Sequence, residues 1–257
     1  MSRLKPGEKR WRLNVGDNLS VAMETNGRGF IGFIVELPGA FVRGPGENEA
    51  FAKVPVEAQS YLRWLGTDEH TSFNPQVVQR HSCSLMVEDA DCEILLDSDK
   101  AFIHESEWRQ LIDLAKYSGK TFCELFDSVK QRDWVDEARI RKTFYGSNKK
   151  TIQEIFDHVK RTQYYYLSRT SQRLFEDEEE SFMRIREECF ETLSRLFNRY
   201  GNSQIFRLDN EDWTLKKIVR RFIWHDRIHG KAMVRILEKQ KRMGLVEGYE
   251  DPFHFTL

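Results

Sequence analysis

Residues 211–229 carry the most informative run of the chain: Glu211-Asp212-Trp213-Thr214-Leu215-Lys216-Lys217-Ile218-Val219-Arg220-Arg221-Phe222-Ile223-Trp224-His225-Asp226-Arg227-Ile228-His229. Apolar residues recur here every three or four positions, which predicts a long amphipathic helix over about residues 214–242. Asp212 and Thr214 stand just before the apolar residues and are typical of helix N-caps. The inward stripe of this helix reads Leu215, Ile218, Phe222, His225, His229, Ala232 and Ile236.

His225 and His229 occupy two successive inward positions of this otherwise apolar stripe. Side chains at i and i+4 lie one above the other, about 6 Å apart along the helix axis, so both imidazoles can reach one cation. Ala232 is small and leaves room one turn later. Because the spacing is short and common, a pair of core histidines with satisfied hydrogen bonds is the alternative to a metal site.

Three further helices are predicted on the N-terminal side, over about residues 105–130, 148–169 and 178–200. Their inward stripes are rich in apolar residues: Trp108, Leu111, Ala115, Ser118, Phe122, Leu125 and Val129 in the first; Ile155, Val159, Thr162 and Tyr166 in the second; Phe182, Ile185, Cys189, Leu193, Leu196 and Tyr200 in the third. The acidic run Asp177–Glu180 is interpreted as the solvated first turn of the third helix. Four long helices with moderate connections predict an all-α four-helix bundle over residues 101–257.

His158 lies between Ile155 and Thr162 in the second of these helices and points at least partly inward. A third nitrogen ligand facing His225 and His229 would give a three-histidine site with open coordination positions. Such open sites are typical of catalytic metal ions, whereas structural sites are usually closed by four protein ligands. The other histidines, namely His70, His81, His104 and His254, are interpreted as structural or exposed, with His104 a possible cap of the first long helix.

The first hundred residues are broken by glycine and proline and carry short runs typical of strands. Leu19–Glu24 alternates loosely, and Phe30–Val35 is a continuous apolar run. Between them, Asn26-Gly27-Arg28-Gly29 is a hairpin turn signal. A helix is predicted over Glu49–Leu65, with Pro55 delaying its start or bending it.

The remainder of this part is predicted to be a loop followed by a second hairpin. Gly66–Arg80 is polar and is interpreted as a loop or an insertion. Ser84–Val87 and Glu93–Leu96 flank Asp89-Ala90-Asp91 as two hairpin strands would. Residues 1–100 are therefore predicted to form a small α+β domain that ends near Asp97–Ala101.

Composition narrows the class of protein. The 257 residues are 40% hydrophobic and 32% charged with a net charge of −1, which is typical of a soluble globular protein. Basic and acidic residues are mixed, so neither nucleic acid nor an anionic membrane is expected as a partner. The four scattered cysteines, the absence of a signal-peptide pattern and the absence of a long apolar run predict reduced thiols in a cytoplasmic protein.

The stretch from Trp213 to His229 closely resembles the last-helix signature of the DinB/YfiT-like metalloenzyme superfamily, in which W-[ST]-x-[KR] is followed by an apolar stretch ending in W-H-[DE]-x-x-H. Phe156-Asp157-His158-Val159 matches the place of the remaining ligand on the family's second helix. The resemblance covers about residues 105–242. It implies a four-helix bundle with one divalent metal ion, zinc or nickel, on His158, His225 and His229. It also implies an enzyme, of the kind that includes S-transferases and isomerases using low-molecular-weight thiols.

The N-terminal part resembles the HicB-like fold. The resemblance is carried by Glu36-Leu37-Pro38-Gly39-Ala40, which stands at the position of that family's D-L-P-G-C-like turn, by Gly44, and by Glu49-Ala50 at the start of the helix. It implies a domain that mediates association, and the exposed sheet edges that it implies predict a homodimer. No second DNA-binding segment follows, since the helical part takes its place.

The sequence therefore leaves two functions open. The first is a metal-dependent transferase, isomerase or hydrolase that acts on an unknown small-molecule substrate. Its general base is unassigned, and Asp226 and Asp157 are candidates to orient the histidine ligands through hydrogen bonds. The alternative is a non-catalytic binding protein in which the metal braces the bundle. Tyr164-Tyr165-Tyr166 is interpreted as core filler rather than cavity lining, Cys189 as a buried inert thiol, and the basic residues 216–221 as a solvated face.

Overall fold

The computed structural model describes residues 16–67, 72–143, 146–148 and 151–257. Its N-terminal part is a mixed four-stranded sheet in the order β3-β2-β1-β4, in which only β1 and β4 run parallel. Two helices connect β3 to β4. The elements are β1 Asn18–Thr25, β2 Phe30–Ile34, β3 Phe41–Gly44, α1 Glu47–Phe51, α2 Val54–Trp64 and β4 Asn74–Ser82.

The predicted first hairpin and the proline-interrupted helix are confirmed. β1 and β2 pair antiparallel, and Gly27 in the turn between them has φ +83°, a conformation that glycine adopts without strain. The helical stretch is broken at Ala52–Lys53, and Pro55 lies in the first turn of α2, where its missing N–H removes no helical hydrogen bond.

Two predictions for this part are wrong. Gly66–Arg80 is not a continuous loop, because residues 74–80 belong to β4, an edge strand held by backbone pairing to β1. The side chains of β4 are mostly polar and half-exposed, so the strand shows no apolar pattern in the sequence. Residues 68–71, including His70, lie outside the described part of the chain. The second hairpin is absent as well: Val87–Asp89 form a 3-10 turn that ends at Ala90 with φ 67°, and the residues after it pair in no strand.

The C-terminal part is helical, and its four long helices are close to the predicted ones. α4 packs against α6 and α7, and α5 packs against the same two helices. The acidic run is not a helical turn, because α6 begins after it, with the Ser181 hydroxyl accepting a hydrogen bond from the N–H of Arg184. The elements are α3 Asp97–Lys100, α4 Glu105–Asp127, β5 Lys142–Thr143, β6 Gly146–Ser147, α5 Ile152–Ser168, α6 Phe182–Tyr200, β7 Phe206–Leu208, β8 Glu211–Trp213 and α7 Leu215–Arg242.

The hydrophobic core runs across the predicted boundary near residue 100. One continuous cluster of buried residues joins the sheet and α2 to α4, α5, α6 and α7. Trp64 of α2 stacks on Tyr117 of α4 with ring centroids 5.4 Å apart, and Trp224 of α7 lies against Phe33 and Phe41 of the sheet. α7 is consequently buried on nearly all sides between Leu215 and Arg227, as a helix between two layers should be. The division into residues 1–100 and 101–257 stays a prediction.

No helix in the described ranges combines the length and the apolar character that a bilayer crossing requires. All four cysteines are free thiols. Cys189 is buried, and its burial raises the pKa of the thiol to about 12, in agreement with the inert role predicted for it.

Candidate metal centre

The structure brings the three predicted histidines together. His158 on α5 lies with its ring centroid 5.0 Å from that of His225 and 4.8 Å from that of His229, and the two α7 rings are 4.4 Å apart. One ring nitrogen from each residue lies within 4.8 Å of the other two. The i, i+4 spacing on α7 and the inward position on α5 therefore produce the convergence that the sequence predicts.

Capped helix starts fix the positions of the two helices that carry these residues. The Thr151 hydroxyl accepts from the N–H of Glu154 at the start of α5, and the Glu154 carboxylate accepts from the N–H of Thr151 in return. The Thr214 hydroxyl accepts from the N–H of Lys217 at the start of α7 and donates to the buried carbonyl of Asp99. This second contact ties the ligand-bearing helix to the segment that precedes the helical part.

The surroundings favour a neutral imidazole at His225. This side chain is only 7% exposed, and burial lowers its pKa well below the ordinary value, helped by the neighbouring His229 and His158. Tyr166 packs edge-on against the same ring at 5.6 Å between centroids. A neutral imidazole is the form that coordinates a metal ion.

The three histidines open onto a cleft of about 820 Å³. Ala232 lines it as predicted, and Trp224 forms part of its wall. Of the three consecutive tyrosines, Tyr165 and Tyr166 line the cleft, so their interpretation as filler alone is wrong. A space of this size is typical of small-molecule sites.

Asp226 does not orient a histidine. Both of its carboxylate oxygens accept from the guanidinium of Arg186 on α6, at 2.9 and 2.8 Å, and both side chains are fully buried. The reason is angular, since neighbouring residues project about 100° apart around a helix. Asp157 accepts from the side chain of Gln153 at 3.0 Å.

The basic residues of α7 are not a solvated face. Lys217 donates to Glu211 at 2.8 Å, Arg220 pairs with Asp99 and Arg227 with Glu57, all with little or no exposure of the basic side chain. Lys217 and Arg220 of the predicted patch are therefore in buried ion pairs, and Arg227, which lies beyond the patch, forms another; these pairs fasten α7 to its neighbours. Lys216 donates instead to the carbonyl of Ser98, and Arg221 to that of Cys92. The apolar stripe of α7 does not predict these ion pairs, because all three acids lie outside the helix and two of them, Asp99 and Glu57, lie 121 and 170 residues away from their partners.

The remaining described histidines lie elsewhere. The N–H of His104 donates to the Glu107 carboxylate at 2.7 Å at the start of α4, which confirms its predicted place as a cap. The carbonyl of His254 accepts from Ser60. His81 lies 3.3 Å from Glu93 and 3.9 Å from the buried Glu24, and these three side chains form a second cluster that contains none of the three site histidines.

Comparisons of the chain with models of protein families, with curated proteins and with solved structures give no match. The function of the chain must therefore follow from the side chains of the site itself.

Proposed function

We propose that this protein is a divalent-metal-dependent enzyme of the DinB-like group, in which the four long helices form the family's four-helix bundle. His158, His225 and His229 are its metal ligands. The observation that carries the proposal is the convergence of these three side chains from two helices at the wall of one cleft. Zinc and nickel are the ions proposed, because imidazole nitrogens suit both.

The bound ion would lower the pKa of a water or thiol in the cleft, or polarise a carbonyl group of the substrate. The protein's own contribution is to hold three imidazoles close together beside an apolar wall, with burial keeping that of His225 neutral. Tyr166 and Trp224 supply that wall and restrict water near the ring of His225. A low-molecular-weight thiol is the co-substrate that the family resemblance proposes.

The alternative, a binding protein braced by a structural metal, is weaker. Structural sites are usually closed by a fourth protein ligand. Within the described ranges, the candidate ligand group holds His158, His225 and His229 and no fourth side chain. A cleft of about 820 Å³ beside the site also favours a ligand-binding role over a purely structural one.

Metal analysis of histidine variants tests the proposal. Protein purified without an affinity tag should contain about one zinc or nickel per chain, and His158→Ala, His225→Ala and His229→Ala should each lose most of it. His104→Ala and His254→Ala are matched controls and should keep it, since both lie outside the site. If all three site variants retain the metal of the unaltered protein, the ligand assignment is wrong.

A further inference from the structure

The cleft beside the histidines is basic, and both parts of the chain supply its charge. Five arginines line it against three acids: Arg43 on β3, Arg141, Arg161 on α5, Arg221 and Arg235 on α7, with Glu88, Asp89 and Asp91 opposite them. Two of the acids are already paired, because Glu88 lies 3.0 Å from Arg28 and Asp89 lies 3.0 Å from Arg141. The four arginines other than Arg141 therefore outnumber the one lining carboxylate that is left, that of Asp91.

Three of these arginines lack a carboxylate partner among the residues that the structure describes. Arg43 donates to the backbone carbonyl of Glu88, and Arg161 and Arg235 form no ion pair within those ranges. Burial lowers the pKa of Arg43, and the nearby charges of Arg235 and Arg141 lower it further. Cations gathered from separate elements repel one another unless an anion lies between them.

Arg221 adds a buried charge at the inner end of the cleft. It is 8% exposed, its guanidinium lies 4.5 Å from the ring centre of Trp224, and it donates to the carbonyl and thiol of Cys92. Burial raises the pKa of that thiol to about 11, so Cys92 brings no negative charge at neutral pH. Within the described ranges Arg221 forms no ion pair, although the charges of Glu24, Asp91 and Glu211 lie close enough to act on it. A buried guanidinium without a direct carboxylate partner makes this part of the cleft favourable for negative charge.

The spacing along α7 places the histidines between two cations. Arg221 precedes His225 by four residues and Arg235 follows His229 by six, which corresponds to about 6 Å and about 9 Å along the axis. All four residues line the same cleft. A small molecule held at the histidines can therefore reach a guanidinium with a group less than about 10 Å away.

We infer that the substrate or co-substrate of the three-histidine site carries a carboxylate or phosphate group, and that Arg43 of β3 and Arg235 of α7, which both line the cleft, bind it. The inference rests on the proposed function for the reacting end of the molecule. The role of Arg43 makes the N-terminal sheet part of the substrate site, because Arg43 belongs to β3. Guanidinium groups suit this task, since each can form two parallel hydrogen bonds with an oxyanion.

Calorimetric titration of metal-free protein with malonate and with inorganic phosphate tests this inference separately from the metal. Arg43→Gln and Arg235→Gln should each weaken binding by about ten-fold or more, since each removes a charge-assisted hydrogen bond. Arg109→Gln is the control: it removes one exposed positive charge on α4, paired with Glu105, outside the cleft. It should bind as the unaltered protein does.

The lysine variants Arg43→Lys and Arg235→Lys keep the positive charge but lose the two parallel N–H donors of the guanidinium. They should therefore retain part of the affinity for the anion. Preference for malonate or for phosphate identifies the anionic group. Arg235 is exposed, so its variants are expected to fold even if those of Arg43 do not. Unaltered protein that binds neither probe saturably, or a folded Arg235→Gln protein that binds both as tightly as unaltered protein, overturns the inference. Neither result depends on whether the histidines hold a metal.

Discussion

At the scale of single residues, α7 carries two sets of side chains: histidines that line the cleft and charged groups that pair with other elements. His225 and His229 repeat at a helical interval within one segment, so their common direction follows from the sequence. Arg186 and Asp226 are separated by 40 residues and meet only because α6 and α7 pack together. No periodicity within one helix contains that information, and the same holds for Arg43, which reaches the cleft from the sheet.

The Arg186–Asp226 pair is predicted to be a major element of stability. Its guanidinium also donates to Gln163 at 2.6 Å and to the carbonyl of Ala115 at 2.9 Å. Asp226→Asn leaves a buried cation without its counter-charge and should lower the free energy of unfolding by about 3–5 kcal/mol. Urea denaturation followed by circular dichroism measures this.

Glu105→Gln is the control for that experiment. It breaks an exposed i, i+4 pair with Arg109 and should change the free energy of unfolding by less than about 0.5 kcal/mol. Equal effects of Asp226→Asn and Glu105→Gln would show that the buried pair contributes no more than a surface pair.

Glu24 predicts a pH-dependent stability difference. Burial raises the pKa of this carboxyl, although the N–H of Glu93 and the charges of Arg221 and His81 partly oppose the shift. A raised folded-state pKa favours the protonated form, so stability is lost as pH rises above the unfolded value of about 4.3. Glu24→Gln should therefore melt at a higher temperature than unaltered protein at pH 7.

The difference in melting temperature between Glu24→Gln and unaltered protein should vanish below about pH 4, where the carboxyl is protonated in both states. Differential scanning calorimetry at both pH values tests this. A lower melting temperature for Glu24→Gln at pH 7 would contradict it and show that the charged carboxylate stabilises the cluster with His81 and Glu93.

At the scale of elements, the long helices were predictable because each carries an apolar stripe over many turns. β4 and β3 were missed, since β4 is polar at the sheet edge and β3 spans only four residues.

The turn before β3 packs against α7. Gly39, within the quoted Glu36–Ala40 turn, has φ +85° and lies against Ile223 and Trp224 of α7. The turn therefore supports the helix that carries His225 and His229.

Gly39→Ala should destabilise the protein more than Gly27→Ala. Both glycines have similar positive φ, +85° and +83°, so both substitutions carry the same backbone strain, on the order of 1 kcal/mol. A Cβ at Gly39 would meet a methyl carbon of Ile223 at 2.5 Å and the backbone nitrogen of Trp224 at 2.8 Å, whereas at Gly27 nothing lies within 4 Å. Thermal melting of the two variants compares them, and equal losses would contradict the close packing of turn and helix.

At the scale of the whole molecule, the sequence predicts two domains, whereas the contacts join the two parts closely. The carboxylates of Glu57 and Asp99, both before residue 101, pair with buried arginines of α7.

The edge strand β4 carries Pro75, an extra residue at Val78 and the charged Arg80, which are features that oppose pairing with another chain. These features disfavour the β4 edge as the surface of the predicted homodimer. Light scattering that gives 30.5 kDa would exclude the dimer.

A fragment of residues 102–257 should be much less stable than the full chain. It loses Glu57 and Asp99 and leaves Arg227 and Arg220 without their acids inside a newly exposed apolar face. We expect it to be insoluble or to melt well below the full-length protein by circular dichroism. A soluble fragment with the melting temperature of the full chain would instead support two independent domains.

X-ray diffraction data collected at the zinc and nickel absorption edges, from crystals of metal-loaded protein, decide whether the three histidines hold an ion. We predict one anomalous peak bounded by nitrogen atoms of His158, His225 and His229, at about 2.0–2.1 Å for zinc, with at least one position taken by water or another small molecule. No peak between the three rings after metal loading, or imidazoles that point apart, would contradict the metal centre. A fourth protein ligand that closes the site would contradict its catalytic role.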